Sequence, residues 1–243
     1  MTPDTRTSAP APAREPESRS TPDVEETVAF LDCADRNTSD TYRAATTLLH
    51  RQRAGRGPLF LIVRHLERIA GSLTGVVLGL EAILRASPRP VLLGDPSGLI
   101  PLVLASSDLD PRLRVLSVPP GSGPVLIVSP SESAGGLLGA VHEAFGRPCT
   151  VVHTGIDARA AVAAHRFDAV LLDLDLPGLQ SYRVADALKA RSSAVGPIAL
   201  TGNDDVWNLE TRVRYGFRRI LSKPYSVAEM LVLVAGATAG RGS

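Results

Sequence analysis

Short apolar runs alternate with amphipathic stretches through the C-terminal half of the chain. The apolar runs predict strands at residues 125–128, 149–153, 169–173, 198–201 and 219–221. The amphipathic stretches predict helices at residues 133–145, 158–165, 182–190, 206–216 and 226–237. Because parallel strands need crossover connections, this alternation predicts an α/β fold, a doubly wound parallel five-stranded sheet with helices on both faces.

The N-terminal half also mixes strands and helices, which predicts a second α/β unit. It includes an apolar run at residues 59–63 and a helical stretch at residues 73–85. The segment SVPPGSGP at residues 117–124 clusters helix and strand breakers, and it predicts a linker near Gly121. The predicted organisation is a tail at 1–26, a domain at 27–118, a linker at 119–124, a domain at 125–238 and a tail at 239–243.

The first 26 residues contain prolines among Ser, Thr, Arg and Glu and lack the apolar core of a secretory signal. We therefore expect a disordered tail and a cytoplasmic protein. The longest apolar runs, such as residues 59–63, are far shorter than the roughly 20 residues that a membrane-spanning helix needs. We expect no membrane association.

Composition narrows the function classes further. A net charge of +1 without a basic run argues against nucleic-acid binding. Cys33 and Cys149 lie far apart, and the five histidines show no paired metal spacing. We therefore expect neither a disulfide framework nor a metal site, and the chain lacks the GxSxG and GxGxxG motifs of hydrolases and dinucleotide enzymes.

Three candidate functional residues come at or just after the carboxyl ends of predicted strands: Asp173, Thr201 and Lys223. Ligands of parallel α/β sheets bind beyond these ends, so the three side chains are expected to converge. Lys189 and Lys223 are the only two lysines, and all the other residues among the 26 Lys and Arg are arginines. A compact ammonium at residue 223 suits a small pocket better than a planar guanidinium.

The segment DAVLLDLDLPG with Asp173, the segment GPIALTG with Thr201 and the segment RRILSKPY with Lys223 resemble the receiver domain of two-component response regulators. The resemblance covers residues 125–237 and implies a flavodoxin-like fold. It also implies that Asp173 is the phosphoacceptor, that Thr201 is the switch hydroxyl, and that Lys223 is the ammonium partner of the phosphoryl group.

The chain departs from the receiver pattern at two places. Family members carry two acidic residues after the first strand, which hold Mg²⁺, whereas this chain has Ser129 and Pro130. Neither replaces carboxylate charge, so we expect a degenerate, atypical receiver that uses Mg²⁺ only if it is functional. Asp175 either supplies part of the missing charge, repels phosphate or is a solvated loop acid. The family's aromatic switch residue is replaced by Ile220.

The N-terminal half resembles a STAS domain, the module of anti-sigma-factor antagonists. The run at 59–63 resembles its central strand, and GSLTG at residues 71–75 falls where the family places a phosphorylatable serine at a helix start. By this resemblance Thr74 is the candidate phosphosite and Ser72 the second candidate. The alternative is that Ser72 is only the N-cap of the following helix.

These features predict a non-enzymatic signalling regulator that acts by binding a protein partner, such as a histidine kinase or an anti-sigma factor. The alternative is a phosphorylatable response regulator in which Asp173 accepts phosphate from a histidine kinase. The sequence shows no DNA-binding motif after residue 238, so we expect no nucleic-acid partner. A homodimer is compatible with this prediction.

Overall fold

The computed structural model describes residues 17–19, 21–53, 55, 57–87, 89–105, 114–118, 123–191, 195–202 and 209–239. The N-terminal sheet has the order β1-β2-β3-β4-β5. Its strands are β1 (Glu17–Arg19), β2 (Thr27–Asp32), β3 (Leu59–Arg64), β4 (Val91–Gly94) and β5 (Arg114–Leu116). All neighbours pair in parallel except β1, which is antiparallel to β2. The crossover helices are α1 (Thr38–Arg51), α2 (Leu73–Arg85) and α3 (Leu99–Ala105).

The C-terminal sheet is parallel throughout and has the order β7-β6-β8-β9-β10. Its strands are β6 (Val125–Val128), β7 (Cys149–Val152), β8 (Ala169–Asp173), β9 (Ile198–Thr201) and β10 (Arg219–Ser222). Its helices are α4 (Glu132–Ala144), α5 (Gly155–Ala164), α6 (Gln180–Ala190), α7 (Leu209–Tyr215) and α8 (Val227–Ala239). The predicted parallel five-stranded sheet is confirmed, with most predicted ends within a few residues of the observed ones.

Helices cover the N-terminal sheet on one face. Strands β2 to β5 follow one another in a single direction across the sheet, so right-handed crossovers place α1, α2 and α3 on the same side. There Leu31 and Leu61 pack with Leu48 of α1 and Leu80 of α2. The opposite face of β2 and β3 carries apolar side chains that these helices do not cover.

The opposite face packs against two helices of the C-terminal half. Val28, Phe30, Phe60 and Ile62 belong to the same buried cluster as residues of α4 and α8, which we call the shared core. Its helical members include Leu137, Leu138, Val141, Met230, Leu231 and Val234. The other face of the C-terminal sheet packs against α5 and α6 through Val162, Val184 and Leu188. Helices α4 and α8 therefore lie between the two sheets.

The predicted tail at 1–26 is wrong from Glu17 onward wherever the structure describes it. Glu17–Arg19 form β1, and Val24 makes a parallel bridge to Tyr225. The composition of this segment is that of a disordered chain, but its order comes from partners that lie far away in the sequence. Residues 1–16, most of the predicted linker including Gly121, and most of the tail at 239–243 lie outside the described residues.

In the parts of the chain that the structure describes, no helix is both long enough and apolar enough to cross a bilayer.

A buried histidine lies at the contact between α4 and α8. His142 is fully buried, and its Nε2 atom is 3.1 Å from the Met230 sulfur. Its Nδ1 atom has no hydrogen-bond partner. Burial, with a smaller effect from the nearby Arg147 charge, lowers the pKa of His142 from 6.5 to about 3. The imidazole is therefore neutral in the folded protein at neutral pH.

This histidine predicts a loss of stability in acid. Between pH 6.5 and about 3 the unfolded chain binds a proton at His142 that the folded chain does not. The free energy of unfolding should therefore fall by about 1.4 kcal/mol per pH unit from this group across that window. Urea unfolding of His142→Leu should show a flatter pH dependence, whereas His50→Leu, at an exposed histidine, should retain the wild-type slope. Equal slopes for all three proteins would contradict the assignment.

Candidate functional site

Four of the predicted site residues meet at the carboxyl edge of the C-terminal sheet. The strand order reverses direction at β6, which has β7 on one side and β8 on the other. Ser129 follows β6, and Asp173 ends β8. Thr201 ends β9 and pairs in register with Ser222, so Lys223 emerges beside it. This is the edge at which doubly wound sheets place their ligands.

Asp173 and Lys223 form a direct ion pair. Lys223 Nζ donates to Asp173 Oδ2 at 2.7 Å, and the Asp175 backbone N–H donates to Asp173 Oδ1 at 2.9 Å. Ser181, at the start of α6, donates its hydroxyl to the Asp173 carbonyl at 2.7 Å. Only 1% of the Asp173 surface is exposed. Both carboxylate oxygens and the backbone of Asp173 are therefore held in place.

Burial and the ion pair shift the pKa values of Asp173 and Lys223 in opposite directions. Burial raises the pKa of Asp173, and the Lys223 hydrogen bond and charge oppose that shift only in part. Burial alone would lower the pKa of Lys223, but the hydrogen bonds and charges of Asp173, Asp175 and Asp23 together outweigh it, so the pKa of Lys223 is raised. The ammonium form of Lys223 is therefore secured by its carboxylate neighbours.

Lys223 contacts two further carboxylates. Asp175 Oδ2 lies 3.0 Å from Lys223 Nζ, although the Asp175 side chain is partly exposed. Asp23 Oδ2 lies 3.6 Å away and comes from the segment that the sequence predicted as a disordered tail. Asp23 is a site residue that sequence reasoning missed, since nothing in its local sequence distinguishes it from a solvated acid. Three carboxylates thus surround one ammonium.

Thr201 is fully buried beside this pair. Its backbone carbonyl accepts a hydrogen bond from the Lys223 backbone N–H at 2.8 Å. The structure thus brings Asp173, Thr201 and Lys223 together, as their positions at strand ends predicted.

The loop after β6 has no acidic pair. Ser129 is buried, and its hydroxyl lies 3.3 Å from the Ser131 backbone N–H, within its own turn. Pro130 is exposed, and Glu132 is the first residue of α4. Among the described residues no group of three or more His, Cys, Asp or Glu side chains could hold a metal ion. The geometry therefore supplies a cation facing three carboxylates, and residues 129–131 of the loop after β6 add no carboxylate to them.

The remaining candidate residues lie elsewhere. Ser72 is the N-cap of α2, where its Oγ accepts from the Gly75 backbone N–H at 3.1 Å, and Thr74 is exposed in the first turn. Helix α2 packs on the face of the N-terminal sheet that is turned away from α4 and α8. Ile220 is buried among the residues that pack against α5 and α6.

Comparisons with known proteins match this half of the chain. Residues 125–235 match the response regulator receiver domain. The Bacillus subtilis protein named "Uncharacterized transcriptional regulatory protein YkoG" is 30% identical over 121 residues, which cover 50% of this chain and 53% of that protein. The "Sensory transduction protein RegX3" of Mycolicibacterium smegmatis is 36% identical over 110 residues, covering 45% of this chain and 48% of that protein.

Among solved structures, the receiver domain of the sensor histidine kinase PA1611 from Pseudomonas aeruginosa is 27% identical, with a TM-score of 0.44. The match covers 49% of this chain and 98% of that one. The chain spans about half the length of the two curated relatives. The family match supports a response regulator receiver domain at residues 125–235, and the activity of the whole protein is a separate question.

Because three carboxylates face one ammonium, removal of Lys223 should lower the free energy of unfolding more than removal of the Asp173 carboxylate. Lys223→Met leaves three carboxylates without their cation and should lower the free energy of unfolding by about 3–5 kcal/mol. Asp173→Asn leaves Lys223 with Asp175 and Asp23 and should cost less, about 1–2 kcal/mol. Urea unfolding at neutral pH measures both, with Lys189→Met at the exposed lysine as the control. Equal losses for Lys223→Met and Asp173→Asn would contradict this account.

Proposed function

We propose that the protein is a bacterial signalling regulator that acts by protein–protein contact through an atypical receiver domain and a divergent STAS-like N-terminal domain. Its setting would be two-component or sigma/anti-sigma regulation. The observation that carries the proposal is the loop after β6, where Ser129 and Pro130 stand in place of an acidic pair.

Phosphoryl transfer depends on a metal ion and cations that stabilise the charge on the transferred group. Lys223 supplies one cation at this site, but it already faces Asp173, Asp175 and Asp23. The Ser129 hydroxyl is directed into its own turn, and a proline offers no ligand. These contacts favour a receiver that signals through its binding state rather than through rapid phosphorylation.

The face formed by α7 and β10 supports a protein partner. Four arginines are exposed there: Arg212, Arg214, Arg218 and Arg219. Arg212, Arg218 and Arg219 donate to backbone carbonyls, and none of the four pairs with a carboxylate among the residues that the structure describes. Val213 is exposed among them. An acidic protein surface with an apolar contact point would complement this face.

Two features support the STAS-like assignment of the N-terminal half. The run Leu59–Arg64 is the middle strand of its sheet, in keeping with the resemblance to the central strand of the family. Thr74 is exposed at the N-terminus of α2, where the helix dipole and backbone N–H groups would stabilise an added phosphate. Ser72 is the weaker candidate, because its hydroxyl already accepts the capping hydrogen bond.

The alternative function is phosphate transfer from a histidine kinase to Asp173. It is supported by the buried Asp173, with Lys223 bound to it and Thr201 beside it. Under this alternative Mg²⁺ would have to bind through Asp173 and Asp175 without help from the loop after β6.

Intact-mass spectrometry separates the two functions. The protein is incubated with acetyl phosphate and Mg²⁺, beside an Asp173→Asn control. The proposal predicts no stable gain of one phosphate mass, because the site lacks the acidic pair that would hold the metal. A phosphate-sized gain that disappears in Asp173→Asn would reject the atypical receiver and support the alternative.

Charge reversal tests the binding face. Proteins retained from native cytoplasm by the wild type should be lost on Arg212→Glu/Arg219→Glu, because the complementary charge has been inverted. The same proteins should remain bound to Arg159→Glu, which reverses an exposed arginine on α5. Quantitative mass spectrometry of the three pull-downs gives the comparison. Identical profiles for the two variants would place the partner surface elsewhere.

A further inference from the structure

Residues 21–26, which we call the N-terminal strap, run beside the chain that follows Lys223. The Tyr225 backbone N–H donates to the Asp23 carbonyl at 3.1 Å, and the Glu25 N–H donates to the Tyr225 carbonyl at 3.0 Å. Val24 forms a parallel bridge with Tyr225, and its side chain lies in the shared core. The strap is thus paired by its backbone with the segment that connects the Asp173–Lys223 site to α8.

The two carboxylates of the strap contact both ends of that segment. At one end, Asp23 Oδ2 lies 3.6 Å from Lys223 Nζ. At the other end, Glu26 accepts from the Ser226 hydroxyl at 2.5 Å and from the Val227 backbone N–H at 3.0 Å. A carboxylate at this position stabilises the N-terminus of α8 through the helix dipole. Residues 223–227 are therefore held by the N-terminal half along their whole length.

The contact at Lys223 is sensitive to charge. Asp173 and Asp175 bind the ammonium at 2.7 and 3.0 Å, closer than Asp23 does. Asp23 is the one carboxylate of the three that lies outside the receiver domain. Added negative charge at Asp173 would repel Asp23 and draw Lys223 away from it, since both carboxylates share one cation in a partly buried site.

We propose that the N-terminal strap couples the Asp173–Lys223 site to the N-terminal half, so that an anion brought to Lys223 weakens the docking of residues 21–26. The anion is a phosphoryl group on Asp173 or a carboxylate of a protein partner, because either competes with Asp23 for the same ammonium. This coupling rests on the proposed function at one point, because it takes the receiver domain as the half that receives the signal.

The coupling is reciprocal because it is a linkage between two equilibria. Charge at the Asp173–Lys223 site changes how firmly the strap is docked, and release of the strap changes how accessible Lys223 is. Tyr225 pairs with the strap through its backbone, and its side chain is buried. Movement of the strap would therefore also expose this side chain. Both directions can be measured on the full chain without any ligand.

Amide hydrogen exchange tests the first direction. Lys223→Met should speed exchange in residues 21–26 and at Tyr225 at least fivefold, and Asp173→Asn should slow it at least twofold, because Lys223 then depends more on Asp23. Lys189→Met, at the only other lysine, should change neither. Exchange in β3 reports global unfolding. Strap exchange in Lys223→Met within twofold of wild type, or an equal acceleration in β3, would overturn the proposal.

Asp23→Asn tests the reverse direction and leaves the direct Asp173 and Asp175 contacts of Lys223 in place. Limited labelling with an amine-directed acetylating reagent should modify Lys223 two- to threefold faster in this variant, with Lys189 in the same molecules as the reference. Asp157→Asn, an exposed acid on α5, should give the wild-type ratio. A Lys223 to Lys189 ratio that is the same in all three proteins would reject the coupling. Both readouts are intramolecular, so their failure is distinct from failure of the mass or pull-down experiments.

Discussion

Burial of the bare face of the N-terminal sheet on α4 and α8 is the contact on which the rest of the structure depends. Strands that follow one another in a single direction place their crossover helices on one side, so the topology leaves Val28, Phe30, Phe60 and Ile62 without cover from their own half. Removal of these side chains from water is the main source of stability at such a contact. The C-terminal half therefore serves as a structural layer of the N-terminal half.

The same contact explains why an acid of the N-terminal half reaches the Asp173–Lys223 ion pair. Strand β2 begins beside the N-terminus of α8, where Glu26 caps the helix, and residues 21–25 lie next to the segment that follows Lys223. Lys223 then faces Asp23 from the N-terminal half and two carboxylates, Asp173 and Asp175, from its own half. Packing thus determines the electrostatics of the site, because Asp23 has no local reason to be near a lysine.

The sequence predicted the features that depend on local pattern. The five strands of the receiver domain, the meeting of Asp173, Thr201 and Lys223, and the helix at Leu73–Arg85 all follow from periodicity and from residues at strand ends. The sequence missed Asp23, Glu26 and the strap, because their order comes from Lys223, Tyr225 and Ser226, about two hundred residues away. Composition indicates how much apolar surface a segment can bury by itself. Residues 21–26 are instead ordered by contacts with residues 223–227.

The placement of α4 and α8 between the two sheets has a consequence for synthesis. The N-terminal half leaves the ribosome first, with Phe30 and Phe60 on a face whose cover includes Met230 and Val234, close to the end of the described chain. Domains usually fold as units in the order of their translation, and exposed apolar surface in unfinished chains promotes aggregation. We therefore expect the first half to remain incompletely folded until α8 has emerged. A chaperone that shields the face of β2 and β3 during this interval would act on a surface that is buried in the finished protein.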